Sequence, residues 1–154
     1  MNVNLRVNGR SYALEVRDND RLVDVLRYKL GLMGAKEGCG EGDCGVCIVL
    51  VDGVPVHSCL LLAYRAEGKE VTTVEGIGSE GSLHPVQRAF IDLGAVQCGF
   101  CIPAAVLIGK WLLDRQTTSR DDVRRAFRGI MCRCGSYLRF EEAVSSAIGR
   151  VSSR

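Results

Sequence analysis

Eight cysteines fall into two groups of four, and the spacing within each group constrains this chain more than any other feature. Cys39, Cys44 and Cys47 form a C-x4-C-x2-C run, and Cys59 follows after a further eleven residues. Cys98 and Cys101 form a C-x2-C, joined well downstream by the C-x-C of Cys132 and Cys134. A C-x4-C-x2-C run with a more distant fourth thiol is the ligand spacing of a 2Fe–2S cluster. The two groups use every cysteine in the chain. The chain therefore reads as an electron-transfer protein with two metal centres.

Rival uses of the thiols fare worse. The N-terminus, Met1-Asn-Val-Asn-Leu-Arg-Val, lacks the charged and apolar regions of a secretory signal. The expected compartment is the cytoplasm, where thiols stay reduced and disulfides are rare. Structural zinc is the stronger rival, because Cys44/Cys47 and Cys98/Cys101 are both C-x2-C pairs. Three thiols from one loop favour iron–sulfur for the first group, whereas the second group by itself leaves the choice open. A Rieske centre needs two histidines as ligands; His57 and His84 lack the pairing with cysteines and read as structural, His84 beside Pro85 at a helix start and His57 near a strand end.

With 20 Lys and Arg against 18 Asp and Glu, the net charge is only +2, and no basic run interleaved with aromatics supports nucleic-acid binding. No apolar run approaches the length of a membrane span.

The first half carries a β-rich pattern. Val3 to Val7 alternates, Asn8-Gly9 marks a tight hairpin, and Ser11 to Val16 resumes the alternation. Leu22, Val25, Leu26 and Leu30 fall at helical spacing, with Asp20 as the expected N-cap and Gly31 as the stop. Strands are expected over 46–51, after the turn Asp52-Gly53 over 54–56, and over 71–74. The glycine- and serine-rich stretch 75–82 reads as a linker. Beyond it the pattern is helical: from Pro85 to near Gly94, from Pro103 to about Arg115, from Ser119 to near Gly129, and from Glu141 to Arg150. The expected fold class is α+β, with domains 1–76 and 77–154 and one cysteine group in each.

A loop that gives three thiols to one small inorganic core must wrap tightly around it. Gly38, Gly40, Gly42 and Gly45 suit that task, because glycine allows positive φ and close backbone approach. Such a loop can also aim N–H groups at the sulfurs, which tunes the reduction potential. Glu41 and Asp43 beside it read as a solvated loop or docking surface.

With Cys39-Gly-Glu-Gly-Asp-Cys-Gly-Val-Cys, His84-Pro-Val-Gln-Arg-Ala-Phe, Gln97-Cys-Gly-Phe-Cys and Cys132-Arg-Cys in this order, the chain resembles the small iron–sulfur subunit of the xanthine oxidase family of molybdenum hydroxylases. The resemblance covers nearly the whole chain. It implies a β-grasp, ferredoxin-like N-terminal domain, an all-α four-helix C-terminal domain and two 2Fe–2S clusters. Cys98, Cys101, Cys132 and Cys134 would hold the cluster nearer to a molybdopterin on a large catalytic subunit. Cys39, Cys44, Cys47 and Cys59 would hold the one that passes electrons outward, to FAD on a medium subunit or to a cytochrome. Gln97 matches a glutamine that hydrogen-bonds the pterin, and Cys134 matches a ligand close to the pterin amino group. No residue here would be catalytic.

The chain departs from the commonest family pattern at Ile102-Pro103-Ala104, Ile130-Met131 and Gly135-Ser136-Tyr137, all around the second group. Its Cys-Arg-Cys-Gly ending resembles some aldehyde- or N-heterocycle-oxidising members. The alternative function is a free-standing two-cluster carrier, and a zinc-stabilised interaction module is the structural one. The apolar helices are expected to bury against the large subunit, leaving the isolated chain poorly soluble.

Overall fold

A computed structural model describes residues 1–117 and 119–152. Strands β1 (Asn2–Val7) and β2 (Arg10–Glu15) form an antiparallel hairpin. Asn8 and Gly9, at φ 52° and 75°, both take the left-handed conformation that the right-handed strand twist selects in a two-residue hairpin. Strands β3 (Ile48–Val51) and β4 (Val54–His57) form a second hairpin through Asp52 and Gly53, again both at positive φ. With β5 (Glu70–Thr72) the sheet order is β2-β1-β5-β3-β4, and only β1 and β5 run parallel.

Helix α1 begins at Leu22–Asp24 and widens into a π turn over Val25–Lys29, closed by Leu30 N–H donating to the Val25 carbonyl at 3.1 Å. Asp20 does not cap it. Its carboxylate accepts instead from Arg17 N–H (3.1 Å), Arg17 Nε (2.9 Å) and Lys29 Nζ (3.2 Å), and Arg21 stands at the N-cap with no side-chain bond. Those bonds, led by the Arg17 backbone N–H, hold the Asp20 carboxyl down to about 2.

Residues 75–82, expected as a linker, contain a 3-10 turn (Val74–Gly76) and a tight loop in which Ser79 and Ser82 exchange two backbone hydrogen bonds. Four helices follow: α2 (Pro85–Asp92), α3 (Ile102–Asp114), α4 (Arg120–Ala126) and α5 (Tyr137–Ser152). Helix α5 starts four residues before the expected Glu141, because the Ser136 carbonyl already accepts from Phe140 N–H. The fold is thus mixed α+β, and no helix among the described residues is long and apolar enough to cross a membrane.

Two apolar cores meet along β3. Cys47, Val49 and Val51 point into the core under α1 with Val3, Leu5 and Leu26, while Val46 and Ile48 point into the helical core with Phe90, Val106 and Phe140. A strand covered on both faces reads as an unbroken apolar run, as Val46-Cys-Ile-Val-Leu-Val does.

Candidate metal centres

The loop between α1 and β3 carries Cys39, Cys44 and Cys47, and Cys59 follows directly after β4. Gly40, Gly42 and Gly45 all take positive φ, at 73°, 81° and 70°, whereas Gly38 does not. Gly38 acts by close approach: a Cβ there would lie 2.8 Å from Cys44 Sγ. The curled backbone aims the N–H groups of Glu41, Asp43 and Cys44 at Cys39 Sγ, at 3.4, 3.3 and 3.4 Å. These bonds, led by the one from Cys44, lower the Cys39 thiol to about 7. Glu41 and Asp43 therefore serve the centre through their backbones while their side chains stay exposed.

Cys47 and Cys59 lie in the sheet core with their sulfurs 3.3 Å apart. Burial pushes the Cys47 thiol up to about 11. Ser58 fixes this corner, donating from Oγ to the Cys47 carbonyl at 2.6 Å. His57 is closer to the chemistry than its sequence context indicates, with Nδ1 3.8 Å from Cys47 Sγ. Only the β4 register, which places His57 opposite Ile48, brings it there.

The second group sits where three helix ends converge. Cys98 and Cys101 precede α3, and Cys132 and Cys134 lie between α4 and α5. All four line one small void together with Gln97 and Ser136. Burial, and then the facing Cys132 thiol, push Cys101 up to about 12. At Cys132 burial acts upward, but the N–H groups of Ser136 and Cys134 and the Cys101 thiol outweigh it and leave that thiol lowered. Gln97 Nε2 donates to Ser136 Oγ at 3.0 Å and to the Cys134 carbonyl at 3.5 Å. Tyr137 Oη accepts from Cys132 N–H at 2.7 Å.

Both groups open onto one groove of about 350 Å³, lined by Cys39 and Cys44 on one side and Cys98 and Cys101 on the other. A backbone bridge joins their loops, with Met131 N–H donating to the Cys44 carbonyl at 2.8 Å.

Among the described residues no three or more His, Cys, Asp or Glu side chains gather as they would around a single ion. Four of the five buried thiols come instead in facing pairs, Cys47 with Cys59 and Cys101 with Cys132. Four thiols lining one void in the second group, and three N–H donors converging on Cys39 Sγ in the first, both suit a binuclear cluster with all-cysteine ligation. The donor sets fit two 2Fe–2S clusters, and the fold and sites define a two-cluster iron–sulfur protein.

Comparison with known proteins narrows that class. A 2Fe-2S iron-sulfur cluster binding domain model matches residues 5–74, and a [2Fe-2S] binding domain model matches residues 73–145. The chain is 39% identical to the nicotinate dehydrogenase small FeS subunit of Eubacterium barkeri, over 98% of this chain and 97% of that one. It superimposes on quinoline 2-oxidoreductase from Pseudomonas putida with a TM-score of 0.93 at 36% identity, covering 100% of this chain and 96% of that one. On the aldehyde oxidoreductase of Desulfovibrio desulfuricans the TM-score is 0.94 at 45% identity, over 99% of this chain, which spans only 17% of that longer chain. The chain belongs to the small 2Fe–2S iron–sulfur subunits of the xanthine oxidase family of molybdenum hydroxylases, and its role is that of an electron-transfer subunit of an oxidoreductase.

Proposed function

We propose that this chain carries electrons from the molybdopterin site of a large catalytic subunit to FAD on a medium subunit or to a cytochrome, within a cytoplasmic complex. Cys98, Cys101, Cys132 and Cys134 are the ligands on the pterin side. Cys39, Cys44, Cys47 and Cys59 are the ligands on the outward side, in a loop shaped by Gly38, Gly40, Gly42 and Gly45. The clusters supply one-electron redox steps.

The observation that carries this reading is the single groove onto which both thiol sets open, with Met131 N–H tied to the Cys44 carbonyl across it. A free carrier has no need to hold two centres in a fixed mutual geometry, whereas a relay does.

The protein's own residues have distinct tasks. The Glu41, Asp43 and Cys44 N–H groups hold negative charge on Cys39, the exposed thiol of its set. Cys47 and Cys59 are shut away from water by the sheet core. Gln97 is exposed and anchored through Nε2, which leaves its carbonyl oxygen to accept from the pterin, while Cys134 lies at the same edge.

The finer fold reading is a β-grasp, ferredoxin-like domain over 1–76 and a four-helix domain over 77–154. The two apolar cores support it, and β3 contributes to both.

The test is metal and flavin analysis of the complex purified through a tag on this chain. Iron for two clusters, with molybdenum and FAD each equimolar to this chain, is expected for a three-component enzyme. Iron and molybdenum without flavin would select the cytochrome-linked form. Iron alone, with no large partner retained, would overturn the relay in favour of a free carrier.

A further inference from the structure

Building on the ligand sets proposed above, we infer that His57 is a positioning residue of the N-terminal centre: its Nδ1–H donates to Cys47 Sγ and raises the reduction potential of the cluster there. Cys47 is only 1% exposed, so water cannot stabilise charge on its sulfur. Its neighbours are the Cys59 sulfur at 3.3 Å, the Cys59 backbone N–H and the His57 ring nitrogen at 3.8 Å. With Cys59 itself a ligand, the imidazole is the remaining side-chain group beside Cys47, among the described residues, that can donate a hydrogen bond.

The ring is held there by its backbone. His57 ends β4 opposite Ile48, and its carbonyl accepts from Leu60 N–H at 3.0 Å. The next residue, Ser58, is bound to the Cys47 carbonyl through both N–H and Oγ. Histidine and ligand are therefore fixed on one rigid corner and cannot drift apart.

A ligating thiolate only accepts hydrogen bonds, which selects the ring form carrying a proton on Nδ1. One-electron reduction adds one negative charge that is shared onto the sulfurs. A donor at sulfur stabilises that reduced form and shifts the potential upward. The proton stays on Nδ1 throughout, and no bond is formed or broken.

The experiment is an EPR-monitored redox titration of the complete complex with native chain, His57→Leu and His57→Asn. Leucine removes the donor. Asparagine places an amide N–H close to where Nδ1 stood. For His57→Leu the reduced-to-oxidised ratio of the N-terminal cluster at fixed potential should fall about tenfold, equivalent to about 59 mV for one electron. The other cluster should not move, and His57→Asn should recover part of the shift. An unchanged potential in His57→Leu, or an equal fall in both variants, would overturn the inference.

Should His57→Leu lose its iron, pulsed EPR on the native complex with 15N-labelled histidine decides the matter. An imidazole-nitrogen coupling to the N-terminal cluster is expected, and its absence overturns the inference. The absence of two distinct 2Fe–2S signals in the native complex would instead sink the underlying assignment of the centres.

Discussion

At Gly45 two independent constraints coincide. Its φ is +70°, and a Cβ would meet the Gly129 carbonyl oxygen at 1.9 Å, a backbone atom that cannot swing aside. The left-handed conformation alone costs a non-glycine residue about 1–2 kcal/mol. The clash would also push the 129–131 backbone away, and with it the Met131 N–H that binds Cys44. Gly53 has a similar φ of +77° but nothing within 4 Å of a Cβ. Gly45→Ala should therefore lower the thermal midpoint of the complex well beyond Gly53→Ala and release iron at a lower temperature. Equal midpoints for the two variants would show that φ alone matters. His84 supplies a second case. Its Nδ1 accepts from Val86 N–H at 3.3 Å and caps α2, and Gln87 Oε1 accepts from the His84 N–H in return. Burial, then the positive charge of Lys110, lower its pKa against the opposing pull of Asp114. A lowered pKa means that the stabilisation is complete above the ordinary value near 6.5 and is lost as pH falls through the lowered one. The native chain should lose about 1 kcal/mol, the worth of a cap, on acidification below the ordinary histidine range. His84→Asn keeps an acceptor that does not titrate, so its thermal midpoint should fall less over the same range. The positive φ of Gly40, Gly42 and Gly45 and the meeting of Cys98, Cys101, Cys132 and Cys134 at one void were legible as residues, because thiol chemistry and backbone freedom belong to residue type. That the loop could aim N–H groups at sulfur was legible too, but not that Glu41, Asp43 and Cys44 converge on Cys39 or that His57 approaches Cys47, because these depend on which atoms the loop and strand register bring near sulfur.

Between elements, α4 and α5 are joined through one buried carboxylate. Glu141 on α5 accepts from Arg120 Nε at 2.5 Å and from Arg124 Nε at 3.1 Å, both on α4. These bonds, led by those from Arg124, hold its carboxyl below the usual carboxylate range. The arginines remain largely exposed, so removing the acid strands no buried cation. Glu141→Gln should cost about 1–2 kcal/mol at neutral pH, the scale of hydrogen bonds to a charged group discounted for solvent. A depressed acid contributes fully above its unfolded value of about 4.3 and less as pH falls through the folded one. The gap in thermal midpoint between native and Glu141→Gln chains should accordingly close under acid conditions. A gap that does not narrow at all as pH falls below the ordinary carboxylate range would mean that packing, not charge, is what glutamine disturbs. Element boundaries followed the sequence where local chemistry set them. The two hairpin turns lie at Asn8-Gly9 and Asp52-Gly53, and Ser119 caps α4 by accepting from Asp122 N–H. They departed where tertiary partners decided, as with Asp20 drawn away to Arg17 and Lys29, and with α5 starting at Tyr137.

In the molecule as a whole, several of the large apolar side chains left in solvent lie beside the second cysteine group. Phe100 (48% exposed) and Val96 flank Cys98, Met131 (63%) precedes Cys132, and Leu138 (71%) lies a few residues beyond Cys134. Exposed apolar residues such as Tyr28, Val54 and Ile91 are scattered singly, as is ordinary on a surface, whereas several together at the edge of one functional centre mark an interface. The sequence pattern indicated apolar helices seeking a partner, yet α2 and α3 turn most of their apolar side chains into the chain's own core. The face left over comes mainly from the cysteine-bearing loops, whose exposure no helical periodicity can report. An anchor at the centre of such a face is worth about 2 kcal/mol or more, so Phe100→Glu should weaken retention of the large subunit about 30-fold. Phe100 lines the groove and is half exposed, and the proposed ligands Cys98 and Cys101 on either side are unchanged. Iron content and both EPR signals should therefore persist in the variant while co-purification through a tag on this chain fails. Loss of iron in step with loss of the partner would instead mean that Phe100 supports the second centre itself. Retention of the partner at full strength would move the interface away from this groove.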